Sequence, residues 1–131
     1  TDGVALAAPQ IGIPLRIFVV SGHVLDPKAL LNDDKSKKRV DAVFINPEIV
    51  KASREKEWVP EGCLSVRPWY GEVKRAKKIT IRAYDESGKQ ITRGASGLLA
   101  QIFQHEIDHL NGILFIDNAR HVEQITKGSG R

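Results

Sequence analysis

The chain has 131 residues, 41% hydrophobic and 27% charged, a length that suits one compact domain and a balance ordinary for a soluble globular protein. Its net charge of +4 is mildly basic, but the cations are interleaved with acids, as in Asp33-Asp34-Lys35-Ser36-Lys37-Lys38-Arg39, and no DNA or RNA recognition motif accompanies them, so they read as solvated surface. No apolar run is long enough to span a bilayer and no charged-then-apolar leader is visible, so no membrane is expected and a cytoplasmic setting is, with an organelle matrix left open; the one cysteine, Cys63, excludes an intrachain disulfide.

The chain opens on Gly3-Val4-Ala5-Leu6-Ala7-Ala8-Pro9-Gln10-Ile11-Gly12 with no polar lead-in, as though inside a structural unit. Residues Leu15 to Val20 are short, apolar and β-branched and predict a buried strand. Ser21 to Asp41 reads as a loop. Ala42 to Asn46 predicts a second strand, stopped by Pro47, and Glu48 to Ala52 a third. Trp58 to Val66 is a mixed segment around Pro60, Gly62 and Cys63. Lys78 to Tyr84 alternates, with Ile79, Ile81 and Ala83 on one face. Asp85 to Gly88 is then a turn, and Gln90 to Thr92 returns as a hairpin partner.

One helix is clear. Ser96 is placed as its N-cap, and Gly97 to Leu110 carries Leu98, Leu99, Ile102, Phe103 and Leu110 at helical spacings. Asn111-Gly112 ends it, with Gly112 suited to a left-handed cap. Ile113 to Ile116 is expected to pack back on the core, and the Gly/Ser-rich tail, 127–131, to be disordered. These elements make a single α+β domain over 1–131, antiparallel strands around a central helix.

That helix carries His105-Glu106-Ile107-Asp108-His109, an H-E-x-x-H pattern. Residues four apart share a helical face, so the two imidazoles can converge on one metal ion. Glu106 stands beside them, where it can take a proton from water rather than bind the ion. The plain alternative is a polar helix end with exposed histidines. Against it, the histidines share the side of Leu98 and Ile102, which is expected to face inward. A third ligand is needed. Downstream candidates are Asp117, His121 and Glu123, but His121 lies too far along for the H-E-x-x-H-x-x-G-x-x-H spacing. Upstream, Cys63 lies in Glu61-Gly62-Cys63-Leu64-Ser65. A lone cysteine is often a small buried hydrophobe; a thiolate is also an excellent ligand for a borderline divalent ion, and Gly62 lets backbone approach.

Three blocks together resemble the peptide deformylase family, whose enzymes remove the N-formyl group from nascent chains. G-x-G-L-A-A-x-Q is matched by Gly3 to Gln10, E-G-C-L-S by Glu61 to Ser65, and Q-H-E-x-D-H-L by Gln104 to Leu110, in the family's order. The resemblance runs from Gly3 to about Asp117. It implies that Cys63, His105 and His109 hold the metal. Glu106 is then the acid–base, and the Gln10 side-chain amide and the Leu64 backbone N–H are donors to the oxyanion. Ferrous iron is favoured by the resemblance as the physiological ion; Zn²⁺, Ni²⁺ and Co²⁺ also suit two imidazoles and a thiolate. The implied partners are nascent formylated polypeptides and the surface of the ribosome. Ala5 departs from the pattern, standing where the family usually has its second glycine. The family also carries several dozen residues, including a helix, ahead of the first block, so the chain reads as part of a longer sequence.

An apolar slot for the methionine side chain is expected beside the ion. Its candidates are Gly3, Val4 and Ala5 of the first block, Val59 and Glu61 of the second, and Leu98, Gln101 and Ile102 on the helix, with the Gln101 amide at the rim. Glu61 can also pair with Arg75 and brace the Cys63 segment. Two rivals stand beside this reading: an H-E-x-x-H zinc endopeptidase, and a non-catalytic, metal-stabilised relative.

Overall fold

The computed structural model describes residues 5–25, 41–63, 69–113 and 115–124. Among the described residues, eight strands form two antiparallel sheets. Strands β1 (Ala5–Ala7), β2 (Ile17–Val20), β3 (Ala42–Ala52), β6 (Lys78–Tyr84) and β7 (Gln90–Ser96) make a five-stranded sheet in the order β1-β2-β3-β6-β7. Strands β4 (Lys56–Cys63), β5 (Trp69–Ala76) and β8 (Ala119–Gln124) make the second, in the order β4-β5-β8. A 3₁₀ turn, Ala8–Ile11, follows β1; α1 (Gly22–Leu25) follows β2; and the main helix, α2 (Gly97–Leu110), precedes α3 (Phe115–Asn118). The α+β expectation holds. No helix among the described residues is long and apolar enough to cross a membrane.

The core lies between α2 and the larger sheet. Phe18 and Phe44 are register partners on β2 and β3, stacked at 4.9 Å, and Phe103 of α2 meets Phe44 edge-on at 5.1 Å. Ile79, Ile81 and Ala83 alternate inward along β6 as the sequence predicts. Ile102, Phe103 and Ile107 close the core from the helix. Its far end is tied down by Arg16, whose guanidinium donates to the Leu110 carbonyl at 3.1 Å and to Asn111 Oδ1 at 2.9 Å. Ser96 stands in extended backbone just before the helix, though its side chain makes no capping bond. Gly112 takes the expected left-handed φ of 73°.

Several expectations need correction. The strand expected from Leu15 is β2 and begins at Ile17, because residues 13–17 are bent into tight turns by the Leu15 N–H to Ile13 and Ile17 N–H to Leu15 bonds. The loop after β2 opens with α1, whose first N–H, that of Gly22, donates to Asp41 Oδ1 at 2.9 Å; residues 26–40 lie outside the described set. Pro47 does not stop a strand. β3 runs through it, and the ladder with β6 shifts register between Ile45 and Glu48. A bulge spares the missing N–H of a proline. The bulge turns at Asn46, which has a φ of 50° and donates its N–H to the Arg16 carbonyl at 2.8 Å. Asparagine tolerates that backbone and β-branched residues do not. Asn46→Val should therefore lose about 1–2 kcal/mol in urea unfolding, with Asn46→Gly close to neutral.

Strands β1, β5 and β8 were not foreseen. β5 turns the charged Arg75 inward beside Val73, breaking an apolar alternation. β8 has four polar residues among its six; it is held by Arg120, which pairs with Glu72 and lies 3.7 Å over the Trp58 ring, and by His121, which also meets Glu72. Leu98 is 62% exposed rather than inward-facing, because burial along α2 begins at Ala100 and the first turn stands clear of the described core. Ala5 lies in ordinary backbone: the positive-φ non-glycine residues among those described are Asn46 and His121. The 127–131 tail and the side chains of Phe115 and Ile116 fall outside the described set.

Candidate metal centre

α2 brings His105 and His109 together as the i, i+4 spacing requires. Their rings meet edge-on with centroids 4.6 Å apart, and the two Nε2 atoms are 2.9 Å apart. The other nitrogen of His105, Nδ1, lies 2.8 Å from Glu61 Oε1. Glu61 is itself clamped by Arg75, whose Nε donates to Oε2 at 2.8 Å and Nη2 to Oε1 at 2.7 Å. The third guanidinium nitrogen, Nη1, reaches Asp108 Oδ2 at 2.6 Å. The Glu61–Arg75 pair was expected as a brace for the Cys63 segment; the structure extends it to His105 and, through Arg75, to Asp108.

This chain of contacts fixes a protonation pattern. Burial pushes the Glu61 carboxyl up, but the Arg75 and His105 hydrogen bonds, with their charges, outweigh it and hold the group at about 2. An ionised Glu61 accepts from the Nδ1–H of His105, which leaves Nε2 as the nitrogen that faces His109. Burial, and next the charge of His105, lowers His109 to about 4, so its imidazole is neutral near pH 7. A neutral imidazole is the form that binds a metal.

Glu106 is 4% exposed, and its Oε1 has no hydrogen-bond partner among the described residues. Burial pushes its carboxyl up to about 7, against the opposing charge of His105. A carboxyl poised there can take and return a proton near neutrality. Ligand atoms of His105, Glu106 and His109 all lie within 4.8 Å of one another. Two imidazole nitrogens facing one another beside an orphaned carboxylate oxygen form a donor set that fits a divalent ion.

The remaining candidates fall as follows. Gln10 lies in the 3₁₀ turn that packs on α2, and its Oε1 accepts the Ala7 N–H at 2.8 Å, which orients the amide and leaves Nε2 as its donor end. Ala5 pairs with Val20 in β1, and Val59, half-buried, pairs with Val73. Ile102 is buried. Gln101 donates to the Pro60 carbonyl at 2.9 Å, and Glu61 has both oxygens turned to Arg75 and His105. Cys63 ends β4 opposite Trp69. The Cys63 side chain and residues Gly3, Val4 and Leu64 lie outside the described set. The sequence reading missed Asp108 and Gln104; an acid between the two histidines and a glutamine before them were the available signals.

The family model for polypeptide deformylase matches residues 1–124. The peptide deformylase of Thermomicrobium roseum is 48% identical over 115 residues, 88% of this chain and 61% of that protein. That of Pseudothermotoga lettingae is 46% identical over 117 residues, 89% of this chain and 59% of that protein. Among solved structures, a peptide deformylase from Legionella pneumophila superposes with a TM-score of 0.72 at 43% identity, over 91% of this chain and 63% of that one. The chain thus spans about three fifths of the length of these relatives. With an H-E-x-x-H pair on the central helix, a carboxylate behind its first histidine and this match along nearly its whole length, the chain belongs to the polypeptide deformylase family.

Proposed function

We propose that the protein carrying this chain hydrolyses the N-formyl group of N-terminal formyl-methionine on newly made polypeptides. Water adds to the formyl carbon, the C–N bond breaks, and formate and a free amino terminus leave. The observation that carries the reading is the pair of facing imidazole nitrogens with a buried carboxyl beside them, one of whose oxygens has no partner among the described residues. Cys63 ends β4 two residues after Glu61, the residue that meets His105, which supports Cys63 as third ligand with His105 and His109. These residues would hold a divalent ion, ferrous iron by our reading, and the chemistry it would supply is polarisation of the formyl carbonyl and a more acidic water.

The chain's own groups do the rest. Glu106 takes the proton of the attacking water and delivers it to the departing amine nitrogen. The Gln10 amide, anchored at its oxygen by Ala7, donates from Nε2 to the oxyanion, together with the Leu64 backbone N–H. Glu61 keeps the His105 proton on Nδ1 throughout. Ile102 and Val59, with Gly3, Val4, Ala5, Leu98 and the Gln101 rim, receive the methionine side chain. A thioether fits an apolar slot without needing a hydrogen bond. The partners are nascent formylated chains, met near the ribosome surface, in the cytoplasm or an organelle matrix.

The deciding experiment is turnover of formyl-Met-Ala-Ser by an anaerobic sample whose metal content is measured in parallel; a metal-loaded sample that releases no formate refutes the reading. Formyl-Gly-Ala-Ser should lose about 1.5–3 kcal/mol in kcat/KM against the methionine peptide, the burial value of one such side chain. Equal rates on both would place the slot elsewhere.

A further inference from the structure

Gln104 precedes His105 and takes no part in the chemistry above, yet its side-chain amide is fully engaged. Its Oε1 accepts the Ala76 N–H at 3.0 Å, and its Nε2 donates to the Ala76 carbonyl at 3.0 Å and to the Ala100 carbonyl at 2.9 Å. Exchanging two bonds with the N–H and C=O of one residue is what a neighbouring strand does in an antiparallel ladder. The place is open for it, because β8 pairs with β5 only as far as Val73. At Ala76 a side-chain amide supplies the rung that β8 does not.

The rung lies level with the histidines. Ala76 adjoins Arg75, which clamps Glu61, which meets His105, the neighbour of Gln104. Gln101 bonds the Pro60 carbonyl and Asp108 bonds Arg75. Residues 101, 104, 105 and 108 therefore form one polar stripe along α2, and every member is bonded to the β4–β5 hairpin. On the larger sheet the helix rests on apolar burial, which tolerates small rotations; hydrogen bonds to the hairpin do not.

We propose that Gln104 is a positioning residue for the metal centre. By serving as a strand rung on Ala76, it sets the rotation of α2 at which His105 meets Glu61 and turns Nε2 toward His109. The proposal rests on the reading that these histidines hold a divalent ion. Gln104→Met keeps the length of the side chain and removes its hydrogen bonds. Gln104→Glu keeps the shape and the acceptor but sets a carboxylate against two carbonyl oxygens.

Both variants are made in the intact protein and loaded with Co²⁺. Affinity is measured by chelator competition, the visible absorption of the bound ion is recorded, and thermal unfolding is followed. Gln104→Met should bind Co²⁺ at least tenfold more weakly with a shifted absorption, and Gln104→Glu more weakly still. Ile79→Val, a core change on β6, should lower Tm and move neither. A folded Gln104 variant with wild-type Co²⁺ affinity and absorption overturns the proposal, whatever its Tm. Failure of the wild type itself to bind Co²⁺ would overturn the metal reading, and this proposal with it, before any variant is compared.

Discussion

Glu106→Ala should lower kcat/KM for formyl-Met-Ala-Ser by about a hundredfold or more, the scale of losing a general acid–base, with the metal still bound. The argument is one of position and proton affinity together. Glu106 lies between the two histidines in sequence but has a buried oxygen with no partner among the described residues. It stands one residue past His105, beside the i, i+4 pair rather than in line with it, which is where a proton carrier for water is expected. Burial holds its carboxyl near 7, so accepting and returning a proton costs little at neutral pH. The check is activity and metal stoichiometry on the same sample. Full turnover by a metal-loaded variant would remove Glu106 from the mechanism. Loss of the metal along with activity would make its role structural instead.

Arg75→Met should cost about 3–5 kcal/mol of stability, the effect of leaving one partner of a buried ion pair without the other. The Arg75 and Glu61 side chains are 10% and 4% exposed. Without the guanidinium, Glu61 keeps its desolvation and loses its largest favourable contacts, so its carboxyl rises. The pH dependence follows. In the wild type the folded-state value is depressed to about 2 from 4.5. The stability it contributes is fully present above the unfolded value and is lost as pH falls from about 4.5 toward 2. In Arg75→Met that acid slope should flatten or reverse. The double change Arg75→Met, Glu61→Leu should regain most of the stability, since no charge is left buried. It should still bind metal weakly, because His105 then lacks an acceptor for its Nδ1–H. Urea unfolding of the metal-free proteins, from pH 2 to 7, measures the first effect, and chelator competition the second. Unchanged stability in the single variant would mean that Glu61 finds water instead.

What the sequence made legible follows physical lines. Regular periodicity backed by burial was readable: β6 alternates because one face meets the core, and α2 is a long amphipathic run with a glycine at its end. The H-E-x-x-H geometry was readable because a helix fixes i, i+4 neighbours without help from the fold. Strand β5 was hidden because one of its inward positions is Arg75, whose burial depends on Glu61 and Asp108 from elsewhere in the chain. The run of β3 through Pro47 was hidden because a bulge needs a partner strand to be seen. The exposure of Leu98 depends on where the helix first meets the sheet, which periodicity does not encode. The Gln104 rung depends on β8 stopping short, a fact of topology alone.

A single residue, Lys77, separates β5 from β6, so the chain passes from one sheet to the other with no slack. The β4–β5 hairpin is thus hinged at the Lys56–Ala76 end and ends at Cys63 and Trp69. It behaves as a lever whose fulcrum carries the Gln104 clasp and whose tip carries the cysteine. The arm spans about 23 Å at the usual strand rise, so a tilt of about 5° at the fulcrum displaces the tip by about 2 Å. That displacement is as large as a metal–ligand bond. The bonds from Gln101 to Pro60 and from His105 to Glu61 hold such a tilt in check near the tip, so under the proposed Cys63 ligation the hairpin's alignment is fixed at both ends, at Ala76 and beside the cysteine.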